Sequence, residues 1–129
     1  MGSKLGAHGQ LELLDLSTWT WETRSPYYTG VNGFATLYFD DSMFVFGGES
    51  TKEGKNLDTI RSYDPDANTW TDRGTLLQTH ITHSVIISLG EFLILGDSWY
   101  NHESEKCAFD GDLFKCEKLF EDTNFGSAE

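Results

Sequence analysis

A repeat of about fifty residues constrains the fold of this chain more than any other feature of its sequence. Asp15 and Asp64 each precede a tryptophan by six residues, and these tryptophans, Trp21 and Trp70, lie 49 residues apart. Self-similarity at a fixed period of this length is typical of solenoids, propellers and other repeat architectures. The sequence therefore predicts several copies of one supersecondary unit.

A third copy of the aspartate signal is predicted at Asp110, where Cys116 takes the tryptophan position. A glycine signal repeats in step with it, because FVFGG ends at Gly48 and LILG ends at Gly96. Two independent signals with similar spacing indicate that the last copy is a true repeat with a degenerate sequence.

Each repeat is predicted to contain four short strands. Aromatic and β-branched runs are bounded by Gly, Pro, Asn and Asp, as expected for strands joined by turns. The predicted strands cover 34–39, 43–46, 59–63 and a strand opening at 69–71, then 83–88, 92–95, 106–110 and 113–118. No window shows the 3.6-residue apolar period of a helix. The fold class is therefore predicted to be all-β.

Four strands per repeat, a di-glycine after the second and a tryptophan in the fourth resemble the kelch family of β-propellers. The residues that carry the resemblance are Phe44 to Gly48, Tyr63–Asp64 and Trp70, with His83 placed 13 residues before Gly96. The resemblance covers about 11–119 and implies antiparallel four-stranded blades in an incomplete ring. It implies structural, non-catalytic roles for Gly47, Gly48, Trp21, Trp70, Asp15, Asp64, His83 and Gly96.

The last copy departs from the family pattern. Gly96 precedes Asp97 instead of a second glycine, Cys116 replaces the tryptophan, and in the preceding copy Phe34 stands where a histidine is expected. We expect the loop geometry of this copy to differ most from the family.

The domain organisation is predicted from the number of repeats. It comprises the last two strands of a blade at 11–23, a full blade at 34–73 and a degenerate blade at 80–120, between a leader or disordered tail at 1–10 and a tail at 121–129. Propellers close with four to eight blades. We therefore expect a fragment of a larger propeller, or a chain whose copies close the ring together.

The formal net charge of −12 disfavours two classes of partner. Nucleic acids require a basic patch, and anionic membrane surfaces attract basic segments. No apolar run is long enough to span a membrane. The sequence therefore predicts neither nucleic-acid nor membrane binding.

Cys107 and Cys116 flank Gly111-Asp112, which suits a two-residue type II′ hairpin turn. That register places the two cysteines opposite each other at a non-hydrogen-bonded pair, within disulfide range. A disulfide would indicate an oxidising compartment and so favour an extracellular location. The alternative is two buried thiols in a cytoplasmic protein. A metal site is not favoured, because the spacing is not CxxC and His102 is the nearest histidine.

Candidate partner-binding residues lie in the loops, which the kelch resemblance implies are gathered on one face. Aromatic residues in these loops are typical of interface hot spots. The candidates are Trp99, Tyr100, His102, Lys52, Lys55, Arg73, His80, Tyr27 and Tyr28. His80 and His83 are not expected to bind a metal together, because residues i and i+3 of a strand point to opposite faces.

No nucleophile motif, paired carboxylates or EF-hand appears, so we expect no enzymatic activity and no cofactor. The hypothesis that the resemblance favours is a protein–protein interaction module that presents its loops to a partner. The alternatives are a glycan-binding or sugar-acting propeller, and a structural fragment that assembles by oligomerisation.

Overall fold

The computed structural model describes residues 9–27, 30–96 and 104–119. Every regular element in these ranges is a β-strand, which confirms the predicted all-β class. The strands are β1 (Leu11–Asp15), β2 (Thr20–Arg24), β3 (Val31–Asn32), β4 (Ala35–Phe39), β5 (Ser42–Phe46), β6 (Glu49–Ser50), β7 (Lys55–Asn56), β8 (Thr59–Asp64), β9 (Thr69–Thr75), β10 (Ser84–Ser88), β11 (Glu91–Leu95), β12 (Glu105–Asp110) and β13 (Leu113–Lys118). No helix in the described ranges has the length and apolar character of a membrane span.

The strands form three blades and one small sheet. A half-blade contains β1 and β2, a central blade has the order β4-β5-β8-β9, and a last blade has the order β10-β11-β12-β13. All neighbouring strands within the blades are antiparallel. Sequential order within each sheet places short turns between most neighbours, as in a propeller blade.

The repeated aspartate closes the turn between the last two strands of the first two blades. The Asp64 carboxylate accepts the backbone N–H groups of Asp66 and Ala67 at 2.9 and 3.2 Å, and Asn68 adopts a positive φ of 57°. In the half-blade, Asp15 accepts the N–H and hydroxyl of Ser17. Aspartate suits this position because its short side chain mimics a backbone turn.

The same aspartate is not repeated in the last blade, so the expected equivalence of Asp110 is wrong. Asp64 pairs with Thr69 across a four-residue turn, whereas Asp110 pairs with Leu113 across Gly111-Asp112. Counted between the paired residues Tyr63 and Trp70 in the central blade, and between Cys107 and Cys116 in the last blade, the hairpin of the last blade is two residues longer. The six-residue spacing from Asp110 to Cys116 therefore has a different structural origin.

Cys116 nevertheless occupies, in the last blade, the position that Trp70 has in the central blade. Met43 pairs with Tyr63, which pairs with Trp70, while Phe92 pairs with Cys107, which pairs with Cys116. Met43 and Phe92 each lie four residues before the glycine that ends their strand. The last blade therefore carries a cross-strand cysteine pair where the central blade carries Tyr63 and Trp70.

The two cysteines form a disulfide with a Cα–Cα distance of 4.1 Å. The predicted register of the hairpin is confirmed. Gly111 adopts a φ of 71°, as the first central residue of a type II′ turn requires.

A phenylalanine cluster joins the central and last blades face to face. Phe44 and Phe46 of β5 contact Phe92 of β11 and Phe114 of β13, with ring centroids 4.8–6.4 Å apart. All four side chains are buried. Aromatic side chains of this size remove large apolar areas from water, and this burial stabilises the interface between the two blades.

The half-blade is attached to the central blade through 24–27. Trp70 donates its indole N–H to the Ser25 carbonyl at 2.9 Å and packs edge-on against Tyr27 at 4.8 Å. Ser25 also donates its backbone N–H to the Asn68 side-chain carbonyl and its hydroxyl to the Asn68 backbone carbonyl, both at 2.8 Å. Trp70 thus fixes the segment 24–27, whereas the side chain of Trp21, its counterpart in the half-blade, is 48% exposed.

Candidate functional site

The longest described loop of the central blade is folded against the segment that enters the blade. β3 of the entering segment pairs with β6, and β6 pairs with β7, so the three form a small antiparallel sheet. Thr51 adds backbone and side-chain bonds to the Gly30 carbonyl at 3.0 and 3.1 Å. The loop between β5 and β8 is therefore ordered on the blade end.

The tip of this loop, residues 51–55, is the most exposed part of that blade end and is called the loop tip below. The Ser50 carbonyl accepts the N–H of Gly54 at 2.8 Å, and its hydroxyl accepts the N–H of Glu53 at 3.1 Å. Lys55 lies 3.2 Å from the Glu53 carboxylate in an exposed ion pair. The loop tip presents Lys52 and Lys55 to solvent on a chain of net charge −12.

The di-glycine at the start of this loop packs against two inter-blade connectors, the one that precedes β4 and the one between β9 and β10. An alanine Cβ at Gly47 would lie 2.6 Å from the His80 carbonyl oxygen, and one at Gly48 would lie 2.9 Å from the Asn32 carbonyl oxygen. Gly48 also donates its N–H to the His80 carbonyl at 2.8 Å. Backbone approaches this close leave no room for a side chain, which explains both glycines physically.

Glu105 of β12 anchors the connector between β9 and β10 from inside the protein. It is 1% exposed and accepts the N–H groups of Leu77 and Gln78 at 2.7 and 3.1 Å. Its second oxygen lies 2.7 Å from Nε2 of His80, which is fully buried. Charge-assisted hydrogen bonds of this kind are stronger than neutral ones and balance the cost of burying the carboxylate.

Two predicted contact residues lie in the interior. His80 is fully buried beside Glu105, and Tyr27 is 3% exposed beneath the ring of Trp70. The expectation that either meets a partner at the surface is corrected by this burial. Aromatic and histidine residues in connectors signal surface recognition and internal packing equally, and the sequence does not separate the two.

Arg73 bridges the central and last blades. Its Nε donates to the Ser62 hydroxyl at 2.8 Å, and its Nη1 donates to the Asp112 carbonyl at 3.2 Å. Lys52 and Lys55 are exposed at the loop tip, as expected. The predictions for Trp99, Tyr100, His102 and Tyr28 concern positions outside the described residues.

The structural residues lie at blade ends and interfaces. His83 is 8% exposed, precedes β10, and its Cε1 would lie 3.1 Å from a Cβ at Gly47. The predicted first strand of the last blade therefore begins one residue later, at Ser84. Glu105 is an anchoring residue that sequence patterns missed, since it borders the predicted strand at 106–110 and has no motif.

Comparison with known proteins confirms the resemblance. The Kelch motif family matches residues 31–76, which contain the central blade and the di-glycine. Among solved structures, the chain is similar to the protein described as "Structure of YjhT", with 18% sequence identity and a TM-score of 0.54. The similarity covers 60% of this chain and 24% of YjhT, and it shows the fold alone. No curated protein matches the sequence at a significant level.

Proposed function

We propose that this kelch-repeat β-propeller chain is a protein–protein interaction module without catalytic activity. The observation that supports this best is the ordered loop tip at the end of the central blade. Its backbone is held by the small sheet and by the connectors, so its ordering costs little when a partner binds. Loops on a rigid scaffold are a common place for recognition.

The charge of the loop tip favours an acidic partner segment. Lys52 and Lys55 are exposed there, and Glu53 offsets only part of their charge. A local basic site on an acidic protein orients an approaching partner, because the remaining surface repels anionic groups. Trp99 and Tyr100, which lie outside the described residues, are two further candidates suggested by the sequence alone.

A cross-linking experiment followed by affinity measurement tests the proposal. Partners of the chain are first identified by cross-linking and mass spectrometry, and one partner is then purified for calorimetry. The variants are Lys52→Glu with Lys55→Glu, and Trp99→Ala with Tyr100→Ala. We expect each pair to weaken binding by about tenfold or more, as for interface residues worth at least about 1.4 kcal/mol.

Lys115→Glu is the matched control, because Lys115 is exposed on β13 of the last blade. This variant is expected to leave the affinity unchanged within about twofold. Equal affinities for the wild type and both loop variants would contradict the proposal. Saturable binding to a glycan array, lost in the aromatic variant, would favour the glycan-binding alternative instead.

A second candidate function is assembly into a propeller, which the open half-blade favours. Among the described strands β1 pairs with β2 alone, whereas its counterpart β8 pairs on both edges. A groove of about 350 Å³ beside it is lined by Leu11, Leu13, Tyr38 and Met43, among other residues. Unpaired strand edges with adjacent apolar surface are templates for further strands.

Light scattering coupled to size-exclusion chromatography separates the two candidates. A discrete oligomer whose mass corresponds to a closed number of blades would support assembly by copies of this chain. A monomer at all concentrations would exclude that assembly and leave the interaction module as the proposed function.

A further inference from the structure

We propose that reduction of the Cys107–Cys116 disulfide creates a Zn²⁺ site with the Glu105 carboxylate and the His80 imidazole. The four residues come from β12, β13 and the connector that precedes β10. They converge at the interface between the central and last blades, beside the phenylalanine cluster.

Donor atoms of three of the four residues already lie close together, and His80 contacts one of these three. One ligand atom from each of Glu105, Cys107 and Cys116 lies within 4.8 Å of the others. Nε2 of His80 lies 2.7 Å from Oε2 of Glu105. Donors of a tetrahedral zinc site lie about 3.5–3.8 Å apart, given metal–ligand distances of about 2.0–2.3 Å. Separation of the two sulfurs on reduction would open a position for an ion among the three donors of β12 and β13, and movement of the His80 imidazole, which already contacts the Glu105 carboxylate, would add the fourth.

Burial favours a metal at this site once the thiols have lost their protons. Glu105 and Cys107 are 1% exposed, and His80 is fully buried. Two thiolates and a carboxylate in that environment require a compensating cation. Zinc fits the set because it combines sulfur, imidazole and carboxylate ligands in tetrahedral geometry, whereas Mg²⁺ and Ca²⁺ prefer oxygen ligands alone.

The reaction is balanced with a phosphine as the reductant. The S–S bond breaks, the phosphine takes up oxygen from water and becomes a phosphine oxide, and the two sulfur atoms become thiols with the two protons of that water. Zinc binding then releases both thiol protons, because the thiolate is the ligand. His80 coordinates through Nε2, and its remaining proton resides on Nδ1.

Glu105 contributes to the site in both redox states. Its Oε1 accepts the Leu77 N–H, and this bond orients the carboxylate toward the metal. Disulfide and zinc would thus link the same two strands at the position of the Tyr63–Trp70 pair. The last blade would have a covalent link under oxidising conditions and a metal link under reducing conditions.

Titration with Co²⁺ tests the site, using the 129-residue chain reduced with a phosphine that carries no thiol. Cobalt thiolates give a charge-transfer band in the near ultraviolet, and tetrahedral sites add a strong band in the red. We expect both bands to saturate at one equivalent, to disappear when Zn²⁺ is added, and to be absent from the oxidised chain. Saturation without a charge-transfer band would overturn the proposal.

Variants identify the ligands. Cys107→Ser with Cys116→Ser is expected to remove the charge-transfer band. Glu105→Gln and His80→Ala are each expected to weaken binding by at least about 100-fold, because even residues that only orient a ligand contribute about 10–100-fold. Glu117→Gln, an exposed carboxylate on the same hairpin, is the control and should bind as the wild type does. Unchanged affinity in both Glu105→Gln and His80→Ala would overturn the ligand set.

X-ray absorption of the reduced wild-type zinc complex avoids the risk that a variant fails to fold. Two sulfur and two nitrogen or oxygen scatterers are expected. Any other sulfur count would overturn the assignment, and so would a circular dichroism spectrum showing that the reduced chain stays unfolded with zinc.

Discussion

Replacing Gly47 with alanine is expected to destabilise the protein far more than the same change at Gly54. The two glycines have almost the same backbone conformation, with φ of 62° and 65°. Their surroundings differ, because a Cβ at Gly47 would lie 2.6 Å from the His80 carbonyl oxygen, while no described atom lies within 4 Å of one at Gly54. The pair therefore separates backbone strain from steric contact.

The magnitude follows from adding three contributions. The left-handed conformation costs alanine about 1–2 kcal/mol at either position. At Gly47 the His80 carbonyl must also move, which disrupts its 2.8 Å bond from the Gly48 N–H at a cost of about 1 kcal/mol. Overpacking of the junction adds about 1–3 kcal/mol. We expect the free energy of unfolding to fall by about 3–6 kcal/mol for Gly47→Ala and by about 1–2 kcal/mol for Gly54→Ala.

Urea unfolding followed by tryptophan fluorescence measures the difference. With a slope of about 2 kcal/mol per M, the midpoint of Gly47→Ala should lie about 1–2 M below that of Gly54→Ala. The slopes should agree, because the two variants expose the same surface on unfolding. Midpoints that coincide would refute the argument that backbone contact, and not φ alone, requires glycine at this junction.

Three further predictions concern buried and turn residues. Glu105→Ala should lower the free energy of unfolding by about 3 kcal/mol, since it removes the acceptor of the Leu77 and Gln78 N–H groups and the partner of the buried His80 imidazole. Glu117→Ala should change it by less than about 0.5 kcal/mol in the same urea assay. Metal-free reduction of the disulfide should cost about 2–3 kcal/mol, from the entropy of a loop of this length, and equal midpoints with and without phosphine would contradict that. Hydrogen bonds from Ser17 hold the pKa of Asp15 below its ordinary value, so its contribution to stability is present above the unfolded pKa and is lost as pH falls through the folded pKa. NMR titration should show this lowered pKa and its rise in Ser17→Ala.

Local signals in the sequence were sufficient to predict the strands and the cysteine hairpin. Side chains along a strand alternate with a period of two, and Gly, Asn and Asp mark the turns between strands. Both signals are properties of neighbouring residues. Gly111-Asp112 placed Cys107 opposite Cys116 for the same reason, because a two-residue turn determines the pairing on both sides. The structure confirms that register.

Contacts between blades could not be predicted in the same way. The burial of His80 depends on Glu105, which lies 25 residues away and belongs to the next blade. The false equivalence of Asp110 arose because spacing along the chain was taken as position in the sheet. A hairpin with a two-residue turn and two additional pairs reproduces the six-residue spacing without placing the aspartate at an equivalent site.

The same physical argument explains why the last blade has a single glycine, Gly96, where the central blade has Gly47 and Gly48. Gly47 leaves room for the connector that follows its blade, and Gly48 leaves room for the connector that precedes it. At Gly96 no described atom lies within 4 Å of the place that a Cβ would take, although its φ of 66° still favours glycine. Backbone conformation alone is therefore enough to explain glycine at position 96, whereas backbone contact requires it at 47 and 48. The requirement for glycine at 47 and 48 thus reports where the central blade meets the connectors of its neighbours.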